Sequence, residues 1–416
     1  MTGREPPAEV GAAVAEAHRR GWALALAATV RVTRDLDRAE ECVQEAYAQA
    51  LRGWPGAGIP ANPIAWLATT AKRRAIDVVR REQVLHAKLA LLVEPVEPGA
   101  TGEPASAVPD ERLRLIFMCC HPALAPEAQL ALTLRLVCGL PTGEVGRALL
   151  VSEPTMAARL TRAKKKIVAA RIPYRLPAAA DLPERLRGVL GVIHLLFTTG
   201  HTAPSGASLV RTELLDQALH LARMLRDLMP GEREVAGLLA LLLVTDARRS
   251  TRVDGQGRLL RLEQQDRSRW DRAAIAEADK LITDGLRGGR PGRYLLQAAI
   301  AALYALAPTY EQTDWPQIVT LYDELGSVWP SPVVALNRLV AVAQVAGAEA
   351  ALGELEHLAK DARLTGYQYL PAVQAELLDR LGRHAEASFA YRRALELTRN
   401  ETEREFLTER LRGLCP

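Results

Sequence analysis

The sequence contains few of the residues that build β-sheets or extracellular scaffolds. Aromatic residues make up only 5% of its 416 residues, and alanine and leucine dominate its apolar content. This composition favours helices over strands and predicts an all-α fold. The five cysteines are odd in number and lack the spacing of a disulfide-bonded secreted domain, which indicates a reducing compartment. We therefore expect a cytoplasmic protein.

Long apolar runs are also lacking. The longest, such as Val235–Val244, fall short of the ~18 residues that a membrane span needs, and the opening MTGREPPAEV has no apolar core. We expect no membrane insertion. With 49% hydrophobic and 25% charged residues, the composition is that of a folded chain, and the length predicts two or three domains.

Motifs for nucleotide binding, metal binding and nucleophilic catalysis are absent as well. The sequence has no GxxxxGK[ST] or GxGxxG motif. Cys119 and Cys120 are adjacent on a predicted helix, where neighbouring side chains diverge by about 100°, so we expect them and Cys138 to be small core residues. His194 and His201 flank LLFTTG in a predicted apolar hairpin without a catalytic spacing. We predict no catalytic residue, no metal or cofactor, and no enzymatic activity.

The charges that are present are unevenly distributed. The net charge is only +4, but seven basic residues and no acid lie between Arg159 and Arg175. A second basic cluster spans Lys72–Arg81, with Asp77 as its only acid, whereas five acids lie between Asp35 and Glu45. Basic clusters are typical of nucleic-acid binding, and an acidic face can dock a basic partner.

Apolar periodicity predicts three helices in the first part of the chain and a break after them. The helices are expected at Val10–Val32, Leu36–Arg52 and Pro63–Arg81, and the loop Gly53–Ala61 is rich in glycine and proline. The stretch Val93–Asp110 has no periodicity and is rich in Pro, Gly, Ala and Glu, which predicts a linker.

The segment after this linker has the pattern of a helix-turn-helix. Ser152 can cap a helix in which Met156, Leu160, Ala163 and Ile167 recur at intervals of 4, 3 and 4 and form a buried face. The opposite face carries small, hydroxyl and basic residues, which suits the major groove of DNA. The helices are predicted at Glu111–Cys120, Pro126–Val137, Thr142–Leu149 and Glu153–Ala170.

Helix pairs continue through the rest of the chain. Leu381–Leu397 has the small and aromatic residues of the second half of a tetratricopeptide hairpin, and Pro330–Leu355 is a weaker copy about one repeat earlier. Asp216–Pro230 is similar. We expect a helical-repeat array whose concave surface binds a protein or peptide.

The N-terminal motifs resemble those of the bacterial extracytoplasmic-function sigma factors. Residues Val30–Glu82 are similar to region 2, with DRAEECVQEAY at Asp37–Tyr47 and NPIAWLATTAKRRAID at Asn62–Asp77. Residues Leu140–Ile167 resemble region 4, and the remainder resembles a subgroup with a long tetratricopeptide-like extension that includes DARRS and QDRSRWDRAAIAEA blocks. The implied domains are region 2 at 10–92, a linker at 93–110, region 4 at 111–175 and the extension at 181–416.

The resemblance also implies binding residues for core RNA polymerase and for the two promoter elements. Core polymerase is expected to bind Asp35, Asp37, Glu40, Glu41, Gln44 and Glu45. The −10 element is expected to contact Trp54, Asn62, Trp66, Lys72, Arg73, Arg74, Asp77, Arg80 and Arg81. The −35 element is expected to contact Ser152, Thr155, Ala158, Arg159, Thr161, Arg162, Lys164, Lys165 and Lys166.

Three functions remain open at this point. The first is a sigma factor whose C-terminal helical repeat modulates its activity. The second is a free-standing helix-turn-helix transcription regulator with a repeat-based sensor, which leaves the acidic helix and Trp66 unexplained. The third, a helical scaffold or an enzyme without recognisable motifs, leaves the basic clustering to chance. Association with core polymerase separates the first from the other two.

Overall fold

The computed structural model describes residues 8–90, 111–149 and 151–414, and every regular element in these ranges is a helix. The prediction of an all-α fold is therefore confirmed. The predicted linker, residues 93–110, lies outside the described residues. The chain divides into two compact parts, which we call unit 1 (residues 1–192) and unit 2 (residues 193–416).

Unit 1 begins with three helices: α1 (Ala8–Thr33), α2 (Leu36–Ala57) and α3 (Pro63–Ala90). Helix α1 packs against both α2 and α3. Side-chain caps fix the start of the second and third helices. The carboxylate of Asp35 accepts a 3.0 Å hydrogen bond from the backbone N–H of Arg38, and Asn62 Oδ1 accepts one of 3.0 Å from the N–H of Ala65.

The end of α2 differs from the prediction, which placed a loop from Gly53 onward. The helix continues through Pro55 to Ala57. Proline removes only one hydrogen-bond donor near a helix end, and the buried Trp54 holds this last turn against the core. Gly58, with a φ of +83°, ends the helix and donates its N–H to the carbonyl of Trp54. The loop between α2 and α3 is therefore shorter than expected.

The second half of unit 1 contains the helix-turn-helix. Helices α6 and α7 pack against each other, and a Cβ atom on Gly146 of α6 would lie 2.9 Å from the carbonyl oxygen of Val151. The close approach at this turn therefore requires glycine. The elements are α4 (Glu111–Cys119), α5 (Pro126–Leu132), a π-helical turn (Thr133–Val137), α6 (Thr142–Ala148) and α7 (Glu153–Ala169).

The cysteines of unit 1 are core residues, as expected. Cys119, Cys120 and Cys138 are buried free thiols, and burial raises the pKa of Cys120 to about 12. Within the described ranges, no group of three His, Cys, Asp or Glu residues could hold a metal ion. Reactive thiols need an exposed, electropositive setting, so these cysteines are structural.

The segment that carries His194 and His201 is not a hairpin. It lies in one continuous helix, α8 (Leu182–His201). The two histidines are seven positions apart, which places them on the same side of a helix. Burial lowers the pKa of both side chains, that of His194 to about 4.

Unit 2 is an array in which each helix from α9 to α18 packs against its neighbours in the chain. A Cβ atom on Gly237 of α10 would lie 2.7 Å from the backbone nitrogen of Leu295, so glycine permits the close packing of α10 on α12. The helices are α9 (Thr212–Leu228), α10 (Arg233–Asp246), α11 (Arg272–Leu286), α12 (Arg293–Leu306), α13 (Trp315–Val328), α14 (Pro332–Val345), α15 (Ala348–Leu358), α16 (Tyr369–Arg380), α17 (His384–Leu397) and α18 (Glu401–Gly413).

The end of this array returns to its start. Asn400, which caps α18, donates its side-chain amide to the carbonyls of Ala203 (3.1 Å) and Ser208 (3.0 Å), and its side chain is fully buried.

A long connection between α10 and α11 contains three short 3₁₀ helices, Arg249–Thr251, Leu262–Gln264 and Arg267–Arg269. No helix in the described part of the chain is both long and apolar enough to cross a bilayer.

Candidate nucleic-acid interface

Helix α7 presents the two faces that its sequence predicts. Met156, Leu160, Ala163 and Ile167 are buried, with side-chain exposures of 6% or less. Ser152 caps the helix by accepting a hydrogen bond from the N–H of Thr155. The opposite side exposes small, hydroxyl and basic groups that can reach a DNA groove, while Arg159 is half-buried. The exposed members of the expected −35 set are Ser152, Thr155, Ala158, Thr161, Arg162, Lys165 and Lys166.

Lys164 is the exception on this helix because its side chain is only 17% exposed. Its Nζ atom lies 2.5 Å from both Asp37 Oδ1 and Glu40 Oε2 of α2. Burial alone would lower the pKa of Lys164, but the hydrogen bonds to the two carboxylates outweigh burial and raise it. A residue expected to bind DNA thus pairs with two residues expected to bind polymerase.

Arg135 completes this cluster from the π-helical turn. Its Nη2 atom lies 2.6 Å from Glu40 Oε1, and its guanidinium also lies over the Trp22 ring. The Glu40 side chain is 7% exposed, so it is held between Lys164 and Arg135. Sequence reasoning did not single out Arg135, although a lone cation in the apolar run LALTLRLV is the signal of a buried ion pair.

Three further contacts hold the two halves of unit 1 together. Trp22 Nε1 donates to the carbonyl of Leu136 (3.1 Å), and the Tyr174 hydroxyl donates to the carbonyl of Ala27 (2.9 Å). Arg31 Nη1 lies 3.2 Å from Glu111 Oε1. The Lys164 cluster is therefore one part of a larger interface between the predicted region 2 and the predicted region 4.

The remaining acids of α2 lie on its solvent side. Glu41, Gln44 and Glu45 are exposed, and Glu45 forms a 2.8 Å ion pair with Arg74 of α3. Both side chains of this pair are more than one-third exposed, so it contributes at most about 1 kcal/mol to stability. Asp35 is exposed and caps α2. This leaves an open acidic surface.

The basic side of α3 is also open to solvent. Arg74 and Trp66 are half-buried. Trp66 packs edge-on against Trp54 with the ring centroids 5.5 Å apart. Trp54 is only 3% exposed, so it supports the end of α2 and its ring is not available for stacking on a base in this arrangement. The exposed members of the expected −10 set are Asn62, Lys72, Arg73, Asp77, Arg80 and Arg81.

Models of known protein families match three segments of the chain. Residues 17–84 match sigma-70 region 2, residues 114–167 match sigma-70 region 4, and residues 185–286 match a family of unknown function, DUF6596. A protein of Rhizobium meliloti (strain 1021), the uncharacterized protein R00370, is 43% identical over 396 residues, which cover 94% of this chain and 93% of that protein. No solved structure matches the chain.

The domain with the acidic helix matches sigma-70 region 2, and the domain with the basic helix-turn-helix matches sigma-70 region 4, so the class is that of promoter-recognition proteins. The chain belongs to the sigma-70 family, with region 2 and region 4 in that order and a helical domain after them. The predicted presence of sigma region 2 and region 4, drawn in part from the motifs at Asp37–Tyr47 and Asn62–Asp77, is thereby confirmed. These domains are those of a sigma factor for promoter recognition.

Proposed function

We propose that the chain is a sigma factor of the extracytoplasmic-function type whose polymerase-binding and −35-binding surfaces are paired with each other in the resting form. Core RNA polymerase binds the acidic side of α2. The −10 element binds the start and basic side of α3, and the −35 element binds α7. The carrying observation is the ion-pair cluster of Lys164 with Asp37 and Glu40.

The exposed acids of α2 support the polymerase contact. Glu41 and Glu45, with the amide of Gln44 beside them, form a solvent-facing strip in which only the exposed Glu45–Arg74 ion pair has to open to meet a basic surface. Opposite charge across an interface raises the association rate and suppresses wrong partners. Asp37, whose side chain is 72% exposed even while paired with Lys164, continues this strip towards Glu40. Polymerase can therefore engage the strip first and then compete for Asp37 and Glu40.

The same cluster makes DNA binding by α7 depend on polymerase. A DNA phosphate offers the anionic oxygens that Asp37 and Glu40 already provide, so Lys164 binds one or the other. A basic polymerase surface that takes over the two carboxylates releases Lys164 for the phosphate. The free chain then has weak promoter affinity, and its complex with polymerase has high affinity.

We propose that the C-terminal helical domain modulates this activity through contacts with a protein or peptide. The tetratricopeptide-like pattern supports this role, since Ala387, Tyr391 and Ala394 are buried in the α16–α17 hairpin and Gly382 has a φ of +70° at its turn. Stacked helical hairpins create extended binding surfaces. A tethered regulator acts at an effective concentration on the order of millimolar.

The test is co-purification of the full chain with core polymerase. Reversing Glu41 and Glu45 to Lys should abolish binding and leave helix content unchanged, because exposed helix charges contribute little to the fold and repel a partner when inverted. The control reverses the exposed Asp284 and Glu396 of unit 2 to Lys and should bind as the parent does. Undiminished recovery of the E41K/E45K protein would refute the docking surface. A parent chain that binds promoter DNA but no polymerase would favour the free-standing regulator.

A further inference from the structure

Unit 2 contains a cluster of cationic side chains that the sigma function does not use. Its cations come from the DARRS block, which begins at the last residue of α10, and from Arg252 and Arg267, and the neutral ring of His201 lies beside them. Within the DARRS block, Arg249 is neutralised by ion pairs with Asp246 (2.7 Å) and Asp216 (2.9 Å). Among the described residues, Arg248, Arg252 and Arg267 have no acidic ion-pair partner.

Arg248 lies at the centre of the cluster. It is partly buried, and among the described residues none forms a hydrogen bond or ion pair with its guanidinium. Arg267 and Tyr304 lie close to it, and burial together with the Arg267 charge lowers the pKa of Arg248. A guanidinium withdrawn from water without a counter-charge costs several kcal/mol, which proteins normally offset with a partner.

The Arg267 guanidinium is held in place by two carbonyls, and one of its hydrogen-bond donors is unused. Its Nη1 atom donates to the carbonyls of Tyr304 (2.6 Å) and Ala307 (2.8 Å), and its guanidinium stacks on the Trp270 ring. Its Nη2 atom is buried and has no hydrogen-bond partner among the described residues. The nearby acid, Glu311, is exposed.

His201 supplies a second unused donor. The hydroxyl of Thr202 accepts a hydrogen bond from Arg252 Nη2 (3.2 Å) and lies 3.3 Å from His201 Nδ1. We assign the hydroxyl proton of Thr202 to the contact with Nδ1, and this assignment places the imidazole proton of His201 on Nε2. The Nε2 atom is buried without a partner in the described part of the chain. Burial and the neighbouring Arg252 and Arg248 hold the pKa of His201 well below its usual value, so the ring is a neutral donor.

The acids around the cluster do not compensate it. Asp246 is engaged by Arg249, and Glu403 accepts hydrogen bonds from the Tyr369 hydroxyl (2.7 Å) and the Gln368 amide (2.8 Å). Burial and the Arg248 charge lower the pKa of Arg252 to about 10. In the described part of the chain, the groups of Arg248, Arg267 and His201 that lack a partner are therefore hydrogen-bond donors.

The groove between the α10–α11 connection and α18 shows the opposite pattern. It has a volume of about 640 Å³ and is lined by Arg258, Arg261 and Arg410. Each of these arginines is paired with an acid, at 2.8 to 3.0 Å. The arginines of this groove are thus neutralised by acids, whereas Arg248 and Arg267 are not.

We propose that the side chains of Arg248, Arg267 and His201 bind a small oxyanion, a carboxylate or phosphate group. The anionic oxygens of such a ligand accept hydrogen bonds, which matches the unused donors. Arg252 adds positive charge while its own donors hold the carbonyl of His201 and the hydroxyl of Thr202. The helical domain is then a receptor for an anionic metabolite or an anionic group on a partner.

Calorimetric titration of the full chain tests the site without polymerase or DNA, so its failure leaves the sigma function untouched. The probes are inorganic phosphate and succinate, with sodium chloride at the same ionic strength as reference. At least one probe should bind saturably to one site, and Arg248→Gln should weaken it about tenfold or more, as expected for a lost charge-assisted hydrogen bond. The matched control is Arg287→Gln, an exposed arginine elsewhere in unit 2, which should bind as the parent does.

Two further measurements separate a binding role from a structural one. Without anion, Arg248→Gln should melt at the same or a higher temperature, because it removes an uncompensated charge. Arg248→Lys keeps the charge but loses the bidentate hydrogen-bonding geometry of the guanidinium. This variant should therefore bind the anion more weakly than the parent and more tightly than Arg248→Gln. The proposal is overturned if neither probe binds saturably to the parent, or if both Arg248 variants bind as tightly as the parent.

Discussion

Lys164 Nζ lies 2.5 Å from Glu40 Oε2, although the two residues are 124 positions apart in the chain. The contact joins the basic helix of region 4 to the acidic helix of region 2. Glu40 also forms an ion pair with Arg135, so its nearly buried carboxylate binds two cations. The helix proposed to bind the −35 element and the helix proposed to bind polymerase therefore share one electrostatic cluster.

Glu40→Gln should destabilise unit 1 and loosen Lys164, which then keeps only the exposed Asp37 as its partner. Removing one partner of a buried ion pair leaves the other charge uncompensated, which typically costs about 3–5 kcal/mol. Denaturant unfolding should show this loss, whereas Glu41→Gln, at the exposed neighbouring position, should stay within about 0.5 kcal/mol of the parent. Under conditions in which it remains folded, the Glu40 variant should bind −35 DNA more tightly than the parent without polymerase. Equal stability of the two variants would contradict the cluster.

Base-reading and phosphate-binding residues of α7 should behave differently. Arg159→Ala or Arg162→Ala should each cost about 1–3 kcal/mol and relax specificity at one position if the arginine contacts a guanine. Lys165→Ala should weaken all promoters alike and reduce the salt dependence by about one ion. Binding of the holoenzyme to a library of −35 variants at two salt concentrations measures both effects. Uniform weakening by all three variants would make the arginines phosphate contacts.

Acid should destabilise unit 2 through His194. Burial, with Arg293 nearby, lowers the pKa of His194 from 6.5 to about 4 in the folded chain. Between these values the unfolded chain binds a proton that the folded chain does not, so stability falls as the pH drops from about 6.5 to about 4, by about 3 kcal/mol in total. Thermal melts across this range should show a smaller drop for His194→Phe. His357→Phe, an exposed histidine, is the control and should retain the parental pH dependence.

Removing unit 2 should reduce transcription without preventing folding or polymerase binding. The cut belongs at Val192, because Arg185 of α8 donates to the carbonyl of Phe117 and its loss would weaken unit 1. We expect several-fold less transcript than from the full chain at equal polymerase occupancy, with circular dichroism as the check of folding. Equal output from several promoters would make the extension a passive appendage.

Much of the fold follows from local pattern. The Met156–Leu160–Ala163–Ile167 stripe is buried as predicted because a helix period of 3.6 residues fixes which side chains share a face. Ser152 and Asn62 cap the helices they precede, since their side chains satisfy donors a few residues away. These features depend on neighbours in sequence.

The partners of each face could not be predicted in the same way. Lys164 belongs to a run of three lysines, and nothing local distinguishes it from Lys165, yet only Lys164 meets α2. The resemblance to region 2 implied that Trp54 contacts DNA, but Trp54 is 3% exposed and packs against Trp66 at the end of α2. Contacts between distant segments decide which partner such a side chain meets, and the periodicity of the sequence carries no information about those contacts.

The most direct measurement of the central claim is run-off transcription with purified core polymerase and genomic promoter fragments. The full chain should direct transcripts from specific start sites, each preceded by a common pair of elements at the −35 and −10 positions, and the E41K/E45K protein should direct none. Core polymerase alone should yield only nonspecific product. If the parent chain yields the same product as core polymerase alone on every promoter fragment, the chain does not act as a sigma factor, and the account given for α2 and α7 is contradicted.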